Sequence, residues 1–388
     1  MRPASRIRNL PAYLFAEMDR KVAAKRASGV DVISLGVGDP DVPTPRPIVE
    51  ALLEAAEDPF THRYPSYYGL PAFRVAIADY YARRFGVGLD PEAEVLPLVG
   101  SKEGLAHMSL AFIDPGDQAL VPDPGYPVYA IGTLLAGGLP VSMPLRADRG
   151  FLPDFEEMGT VVGSGPGTRV MWLNYPSNPT AAVADVGFFE RAVEFARANE
   201  LLLCHDAAYA EITFDGFVAP SALAAPGGKD VVVEFGSLSK TYNMTGWRIG
   251  FAVGNAEALR ALATLKTNID SGIFNAVQRA GVAALTGPQE HVEEMRTLYQ
   301  KRRDVVVSAF QGVGIAVEPP LGSVYVWVPT PPGRTCEQFA DELLEQVGVV
   351  VAPGTGYGSH GEGYIRISLT VEDDRLHEAM DRIRRRLT

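Results

Sequence analysis

TRVMWLNYPSNPTAAVADVGFFERAVEFARANELLLCHDAAY, residues 168–209, decides the fold. Its two apolar runs, Thr168 to Leu173 and Leu201 to His205, read as short strands buried on both faces, because neither alternates with polar residues. Between them, Gly187 to Asn199 carries Phe188, Ala192, Phe195 and Ala196 at helical spacing, which predicts an amphipathic helix. Strand, helix, strand is the repeating unit of an α/β sheet covered by helices. Working outward, Glu94 to Leu98, Gln118 to Val121, Val231 to Phe235 and Ile249 to Val253 are further strand candidates. The expectation is a large, doubly wound, mostly parallel sheet whose strands run into polar loops.

Beyond Gly287 the pattern changes. A helix from His291 to Phe310, a strand in Gly322 to Val328, a helix from Cys336 to Gln346, a strand in Tyr364 to Leu369 and a final Arg-rich helix predict a smaller α+β domain. The N-terminal stretch, with a helix over Ala12 to Ala27, is expected to pack on that domain. The resulting division is an arm and part of the small domain in 1–45, a large domain in 46–286 and a small C-terminal domain in 287–388. No internal repeat or linker is visible, and the run TVVGSGPGT, Thr160 to Thr168, is read as a flexible insert.

Composition narrows the function. The chain has 388 residues, 35 Lys and Arg against 47 Asp and Glu, and a formal net charge of −12, which opposes a nucleic-acid partner. No apolar run approaches the length that spans a bilayer, and Glu17 and Asp19 break the only candidate for a signal peptide. Cys204 and Cys336 are too few for a disulfide scaffold and fit the reducing cytoplasm. The glycine clusters GSGPG (Gly163 to Gly167) and GTGYG (Gly354 to Gly358) are expected neither to follow a strand nor to open a helix, as a dinucleotide fingerprint must. GSLSKT (Gly236 to Thr241) lacks the glycine spacing of a P-loop. No H-E-x-x-H or G-x-S-x-G occurs and the histidines show no ligand spacing, so no metal is expected.

What remains is a set of polar residues, most of them at strand ends, where open α/β sheets bind ligands. Lys240 follows a strand amid Ser237, Ser239 and Arg248, an amine beside an anion site. Gly100, Ser101 and Lys102 precede an apolar helical run, so free N–H groups there would face a phosphate or carboxylate, although Ser101 also reads as an ordinary N-cap. Tyr126 lies just past a strand and could lie flat on an aromatic ring. Asp206 ends an apolar strand and needs a cation, with Tyr209 three residues on. Asn174 and Asn178 end another strand, where a turn role is the plain alternative. Arg366 sits inside the apolar run YIRISLT and wants a bidentate carboxylate or, more simply, a structural salt bridge. A phosphorylated aromatic aldehyde with a basic ring nitrogen, pyridoxal 5′-phosphate, accounts for the set.

The motifs LGVGDPD, RYPSYYGLPAFR, GSKEG, PGYPVY, YPSNPT, HDAAY, SLSKTYNMTGWRIG and YIRISLT, in this order, resemble the fold-type I, class I and II aminotransferases over essentially the whole chain. The resemblance implies that Lys240 is the lysine to which the cofactor attaches and that Arg248, Ser237, Ser239 and the Ser101 and Lys102 backbone hold its phosphate. It implies that Asp206 holds the ring nitrogen, that Tyr209 and Asn178 hold the phenolic oxygen and that Tyr126 stacks on the ring. Arg366, Asn178 and the Gly38 backbone would grip the substrate carboxylate. Tyr64 resembles the tyrosine that reaches the neighbouring subunit's phosphate, which implies a homodimer with shared sites. Ala181 departs from the family, which usually has glycine after NPT.

The implied reaction moves an α-amino group to a 2-oxo acid in ping-pong fashion. PAYLFAEMDRKVAAKRASGVDVISLGVGDPDVPTP, YPSYYGLPAFR and SLSKTYNMTGWRIGFAVGNAEA are most similar to bacterial LL-diaminopimelate aminotransferases, which implies 2-oxoglutarate and glutamate as the partner pair. Aspartate, alanine and aromatic aminotransferases share the cofactor residues. A carbon–sulfur lyase would keep Lys240 and Asp206 but release ammonia and pyruvate. A regulatory protein of this shape would need a basic DNA-binding module, for which the N-terminal stretch is too short.

Overall fold

A computed structural model describes residues 1–8, 10–11, 14–162 and 167–388. In chain order its strands are β1 (Ile33–Ser34), β2 (Val95–Leu98), β3 (Gln118–Asp123), β4 (Leu139–Pro144), β5 (Thr168–Asn174), β6 (Leu202–Asp206), β7 (Val232–Ser237), β8 (Gly250–Gly254), β9 (Tyr325–Pro329), β10 (Val349–Val350), β11 (Ala352–Pro353) and β12 (Tyr364–Ser368). A seven-stranded sheet has the order β2-β8-β7-β6-β5-β3-β4. The β3–β4, β3–β5, β5–β6 and β6–β7 pairs are parallel, whereas β8 runs antiparallel to β2 and β7.

Both faces of this sheet are covered. Met171 and Leu173 of β5, Leu203 of β6, and Phe251 and Val253 of β8 enter one apolar cluster. Their neighbours Val170, Trp172, Cys204, Val233, Phe235 and Ala252 enter the cluster on the opposite face. Alternation along a strand with apolar residues on each side explains why these runs read as continuously hydrophobic. The β5–β6 crossover is the helix Val186–Ala198, started by the Asp185 carboxylate, which accepts from the Phe188 N–H at 2.7 Å. This end contact satisfies a donor that the helix itself leaves free.

The direction of β8 arranges the site. Because it is antiparallel, its first residue, Gly250, lies opposite Leu98 at the end of β2 and Ser237 at the end of β7. The residues before β8 and those after β2 and β7 therefore meet at one edge. Asn174 and Asp206 lie opposite each other at the same edge, at the ends of β5 and β6.

A second layer is built from the antiparallel sheet β11-β12-β9 and the parallel pair β1-β10. Its core joins Tyr299, Val306 and Phe310 of the helix Glu290–Gln311 to Val326, Ile365 and Ile367, with Ile33 and Leu35 from the N-terminal side. The helix Cys336–Val347 starts with a reciprocal capping box between Thr335 and Gln338 and stops at Gly348, where φ is 67°. Among the described residues no helix is long and apolar enough to cross a membrane.

Several expectations are corrected. The sequence reading named no strand at β4, whose Leu139 is 49% exposed; it is the sheet edge, contains Pro140 and Pro144, and lacks the apolar run of a central strand. The run Thr160 to Thr168 is not one loop: Thr160 to Val162 finish the helix Phe155–Val162 and Thr168 begins β5, while Gly163–Pro166 lie outside the described residues, and with them most of GSGPG. GTGYG does follow a strand, β11, but opens only a four-residue 3₁₀ turn, Gly354–Tyr357. Gly322 makes an isolated bridge to Thr213 and the strand starts at Tyr325. The N-terminal helix is described over Leu14–Ala27, and Ala12 falls outside the description.

Candidate active site

A cleft of roughly 330 Å³, within the range of small-molecule sites, opens at the edge where these strand ends meet. It is lined by Gly38, Ser101, Lys102, Tyr126, Asn178, Asp206, Tyr209, Ser237, Ser239, Lys240, Arg248 and Arg366. Of the site residues implied by the resemblance only Tyr64 is absent. It stands 88% exposed elsewhere on the surface.

At the end of β2 the backbone turns at Gly100, with φ of 76°, into the helix Ser101–Phe112. Gly100 is the cap and Ser101 the first helical residue, which corrects the reading of Ser101 as N-cap; no side chain caps this end. The free N–H groups of that turn face an anion position. A Cβ on Gly100 would lie 2.4 Å from the Arg248 guanidinium, and one on Gly250 would lie 2.8 Å from the Ser101 amide nitrogen. Both glycines thus let donors from three strand ends converge. Ser237 and Ser239 complete this corner, the Ser237 hydroxyl accepting from the Ser239 N–H at 3.2 Å.

Lys240 lies in the single turn Leu238–Thr241 that follows β7. Its ammonium donates to the Gly38 carbonyl. Burial lowers its pKa below that of a free lysine; Tyr325 and Asp39 oppose that shift, while Arg366 and Arg248 add to it. A depressed pKa gives a neutral amine at lower pH, the form that acts as nucleophile or base.

Asp206 is 5% exposed. One carboxylate oxygen accepts from the Tyr129 hydroxyl at 2.8 Å and the other from the Ala208 N–H at 3.3 Å. Burial raises its pKa, opposed by Tyr129 and His205. No described cation forms a salt bridge with it. The Asn174 side chain fastens this end of the sheet by donating to the Asp206 carbonyl at 2.7 Å and accepting from the Asn178 N–H at 2.7 Å.

Arg366, 2% exposed, makes no salt bridge with any described carboxylate, which overturns the plain reading of a structural ion pair. It donates to the Asn178 side-chain oxygen at 2.7 Å and to the Gly36 carbonyl at 2.6 Å, and its Nε has no partner. Tyr126 stands edge-on to Tyr129, ring centroids 6.0 Å apart, with the Lys102 ammonium 5.8 Å from its own centroid.

Among the residues not anticipated, Asp39, Tyr325 and Tyr357 line the cleft and Tyr129 stands behind it. Tyr129 and Tyr325 sit in apolar segments, where tyrosine reads as core, and Tyr357 lies in the glycine-rich turn Gly354–Tyr357.

An amine of depressed pKa, an anion corner of hydroxyls, amides and an arginine, a buried carboxylate without a cation and a buried guanidinium without an anion define a class of enzyme. It performs amine chemistry on a carboxylate substrate with the help of an anionic cofactor. The chain belongs to the aminotransferase class I and II family, whose profile matches residues 30–383. It is 56% identical over 385 residues to the LL-diaminopimelate aminotransferase of Moorella thermoacetica, covering 99% of this chain and 98% of that protein. Among solved structures, BacF of Bacillus subtilis superposes with a TM-score of 0.95 at 40% identity, over 100% of this chain and 99% of that one. A probable N-succinyldiaminopimelate aminotransferase of Thermus thermophilus gives 0.90 at 40% identity, over 96% and 99%.

The protein is a pyridoxal-phosphate-dependent transaminase, and the cleft fits that cofactor. The unpaired Asp206 carboxylate matches a protonated ring nitrogen, and the corner kept open by Gly100 and Gly250 matches a phosphate.

Proposed function

We propose that this chain transfers the amino group of LL-diaminopimelate to 2-oxoglutarate. The observation that carries the reaction type is the pairing of Lys240 with an unpaired buried carboxylate on one side and an unpaired buried guanidinium on the other. The substrate rests on similarity across almost the full chain to a protein named for it.

Ser101, Lys102 through its backbone, Ser237, Ser239 and Arg248 bind the cofactor phosphate. Tyr126 covers one face of the ring, and Asp206, oriented by Tyr129, keeps a proton on the ring nitrogen. Bound pyridoxal phosphate supplies the aldehyde that Lys240 and the substrate amine compete for, and an electron sink for the carbanion. Tyr209 and Asn178 hold its phenolic oxygen. Arg366 grips the substrate α-carboxylate as a planar fork, with Asn178 and the Gly38 backbone beside it. Lys240, as a neutral amine, would take the proton from the substrate α-carbon and return it to the cofactor's aldehyde carbon, two bonds away. Donor and acceptor each present an α-carboxylate to the same Arg366, so they occupy the cleft in turn and the kinetics are ping-pong.

We read the chain as a large domain in 46–286 and a small one in 287–388 with the arm 1–45, packed closely enough that Tyr209, Ile212 and Phe214 enter the apolar cluster of the small domain and Val292 that of the large one. We further read the chain as half of a cytoplasmic homodimer. Leu53, Phe60, Tyr64, Tyr67, Tyr68 and Phe274 are all exposed on adjoining segments, the kind of apolar surface that marks an interaction face, and Tyr64 would reach the partner's phosphate corner. Buried free cysteines, Cys204 and Cys336, agree with a reducing compartment.

The test is a panel of LL-diaminopimelate, aspartate, alanine and phenylalanine with 2-oxoglutarate, scored by glutamate formed and by any ammonia released. LL-diaminopimelate should give the highest kcat/KM. Preference for another donor, or ammonia as the main product, rejects the assignment. Sedimentation of a fully active monomer would remove the role given to Tyr64.

A further inference from the structure

Tyr325 opens β9 and is 3% exposed. On the antiparallel ladder Trp327 lies opposite Arg366 and Tyr325 opposite Ser368, so Tyr325 and Arg366 share a face at diagonal positions, where long side chains meet. The Arg366 guanidinium carbon lies 3.9 Å from the Tyr325 ring centroid and 4.8 Å from that of Tyr357. The Tyr325 hydroxyl lines the cleft and accepts from the Tyr209 hydroxyl at 3.3 Å, the two rings being 71° apart. A Cβ on Gly38 would lie 2.1 Å from that hydroxyl, so Gly38 is the residue that gives it room.

We propose that Tyr325 is a positioning residue of the reaction with two separable actions: its ring seats the carboxylate-binding guanidinium of Arg366, and its hydroxyl backs the Tyr209 hydroxyl against the cofactor's phenolic oxygen. This rests on the roles given above to Arg366 and Tyr209. The ring is needed because, among the described residues, Arg366 donates to Asn178 and Gly36 and leaves its Nε unpartnered. The aromatic face of Tyr325 against the guanidinium adds a contact that holds its plane. The hydroxyl is needed because Tyr209, which here donates to Tyr325, must turn its one proton to the cofactor's phenolic oxygen, and its own oxygen can then accept from Tyr325 in return, which makes it a better donor. Burial pushes the Tyr325 hydroxyl up, but the Arg366 and Lys240 cations and the hydrogen bonds it accepts outweigh it and bring the net shift below an ordinary tyrosine. Plain core packing would require the ring volume and no hydroxyl.

The experiment uses the cofactor-loaded enzyme and two substitutions that separate the actions. Tyr325→Phe keeps the ring and drops the hydroxyl; the pH midpoint of the bound cofactor's absorbance should rise by about half a unit, the scale of one neutral hydrogen bond. Its dissociation constant for 2-methylglutamate, which carries an α-carboxylate but no α-hydrogen and so binds without turnover, should stay within about twofold of the parent. Tyr325→Leu removes the ring and should weaken 2-methylglutamate about tenfold, at unchanged cofactor content; Tyr325→Met replaces it if the leucine variant does not fold. Arg366→Lys is measured alongside. If that variant binds 2-methylglutamate as the parent does, the role of Arg366 fails. If it binds weakly while the ring-less variants bind normally, or if the phenylalanine variant leaves the midpoint unmoved, the inference about Tyr325 is overturned.

Discussion

Arg366 and Asp206 carry complementary charges that the chain itself leaves unmatched, and each yields a measurable expectation. Arg366→Lys keeps the charge and replaces a planar fork by a point donor. The loss should be about 1.5 to 3 kcal/mol of transition-state stabilisation, roughly ten- to a hundred-and-fifty-fold in kcat/KM, with cofactor affinity unchanged. An unchanged half-reaction rate per loaded site would send the carboxylate to another cation. Asp206→Asn preserves the Tyr129 contact but cannot hold the proton on the ring nitrogen, so turnover should fall about a hundredfold or more. Burial raises the Asp206 pKa, so the ionised carboxylate costs stability until the cofactor cation arrives. The asparagine apoenzyme should therefore melt no lower than the parent apoenzyme, and a lower melting temperature would contradict this account. Both residues were legible in the sequence because a full charge inside an apolar run demands a reason. Tyr129 and Tyr325 were not, because an aromatic residue in such a run already has one.

At the scale of elements, the antiparallel β8 makes the anion corner, and Gly100 is where that corner is narrowest. Gly100→Ala strains a backbone at φ 76° and ψ 149° by about 1–3 kcal/mol and forces the Arg248 guanidinium aside. The cofactor dissociation constant should rise roughly ten- to a hundredfold, as for the loss of one charged hydrogen bond, and the melting temperature of the apoenzyme should fall by no more than that strain accounts for. Equal cofactor affinity would show that Arg248 does not hold the phosphate. The central strands β5, β6 and β7 could be read within a residue or two because burial on both faces keeps them mostly apolar, with Arg169, His205 and Glu234 as isolated exceptions. The edge strand β4 and the opposite direction of β8 could not, since an edge needs few apolar residues and direction is set by partners far along the chain.

For the whole molecule, the deepest charge lies away from the cleft. Glu234 and His205 are both fully buried and 2.8 Å apart, and the Glu234 carboxylate also accepts from Tyr81, Ser221 and the Ala222 N–H. Burial alone would raise its pKa, but His205 and these donors outweigh that and the net shift is downward from 4.5. A carboxyl whose pKa is lower in the folded state stabilises the fold fully above its unfolded value and loses that contribution as pH falls through the folded one. Stability should therefore decline on acidification below about pH 4.5. Glu234→Gln should cost about 3–5 kcal/mol at neutral pH, the scale for breaking a buried pair, and should flatten the acid limb. A melting curve with the parent's acid dependence would place the decisive carboxyl elsewhere.

Arg366 leaves β12 in the C-terminal layer yet fastens to Asn178 beside the large sheet and to Gly36 on the N-terminal segment. The residue that reads the substrate is thus also a rivet through three parts of the chain. An amino acid that occupies it lends its own binding energy to holding those parts together. Amide hydrogens of β9 and β12 should accordingly exchange more slowly when a carboxylate ligand is bound, and an amine without a carboxylate should leave their exchange unchanged.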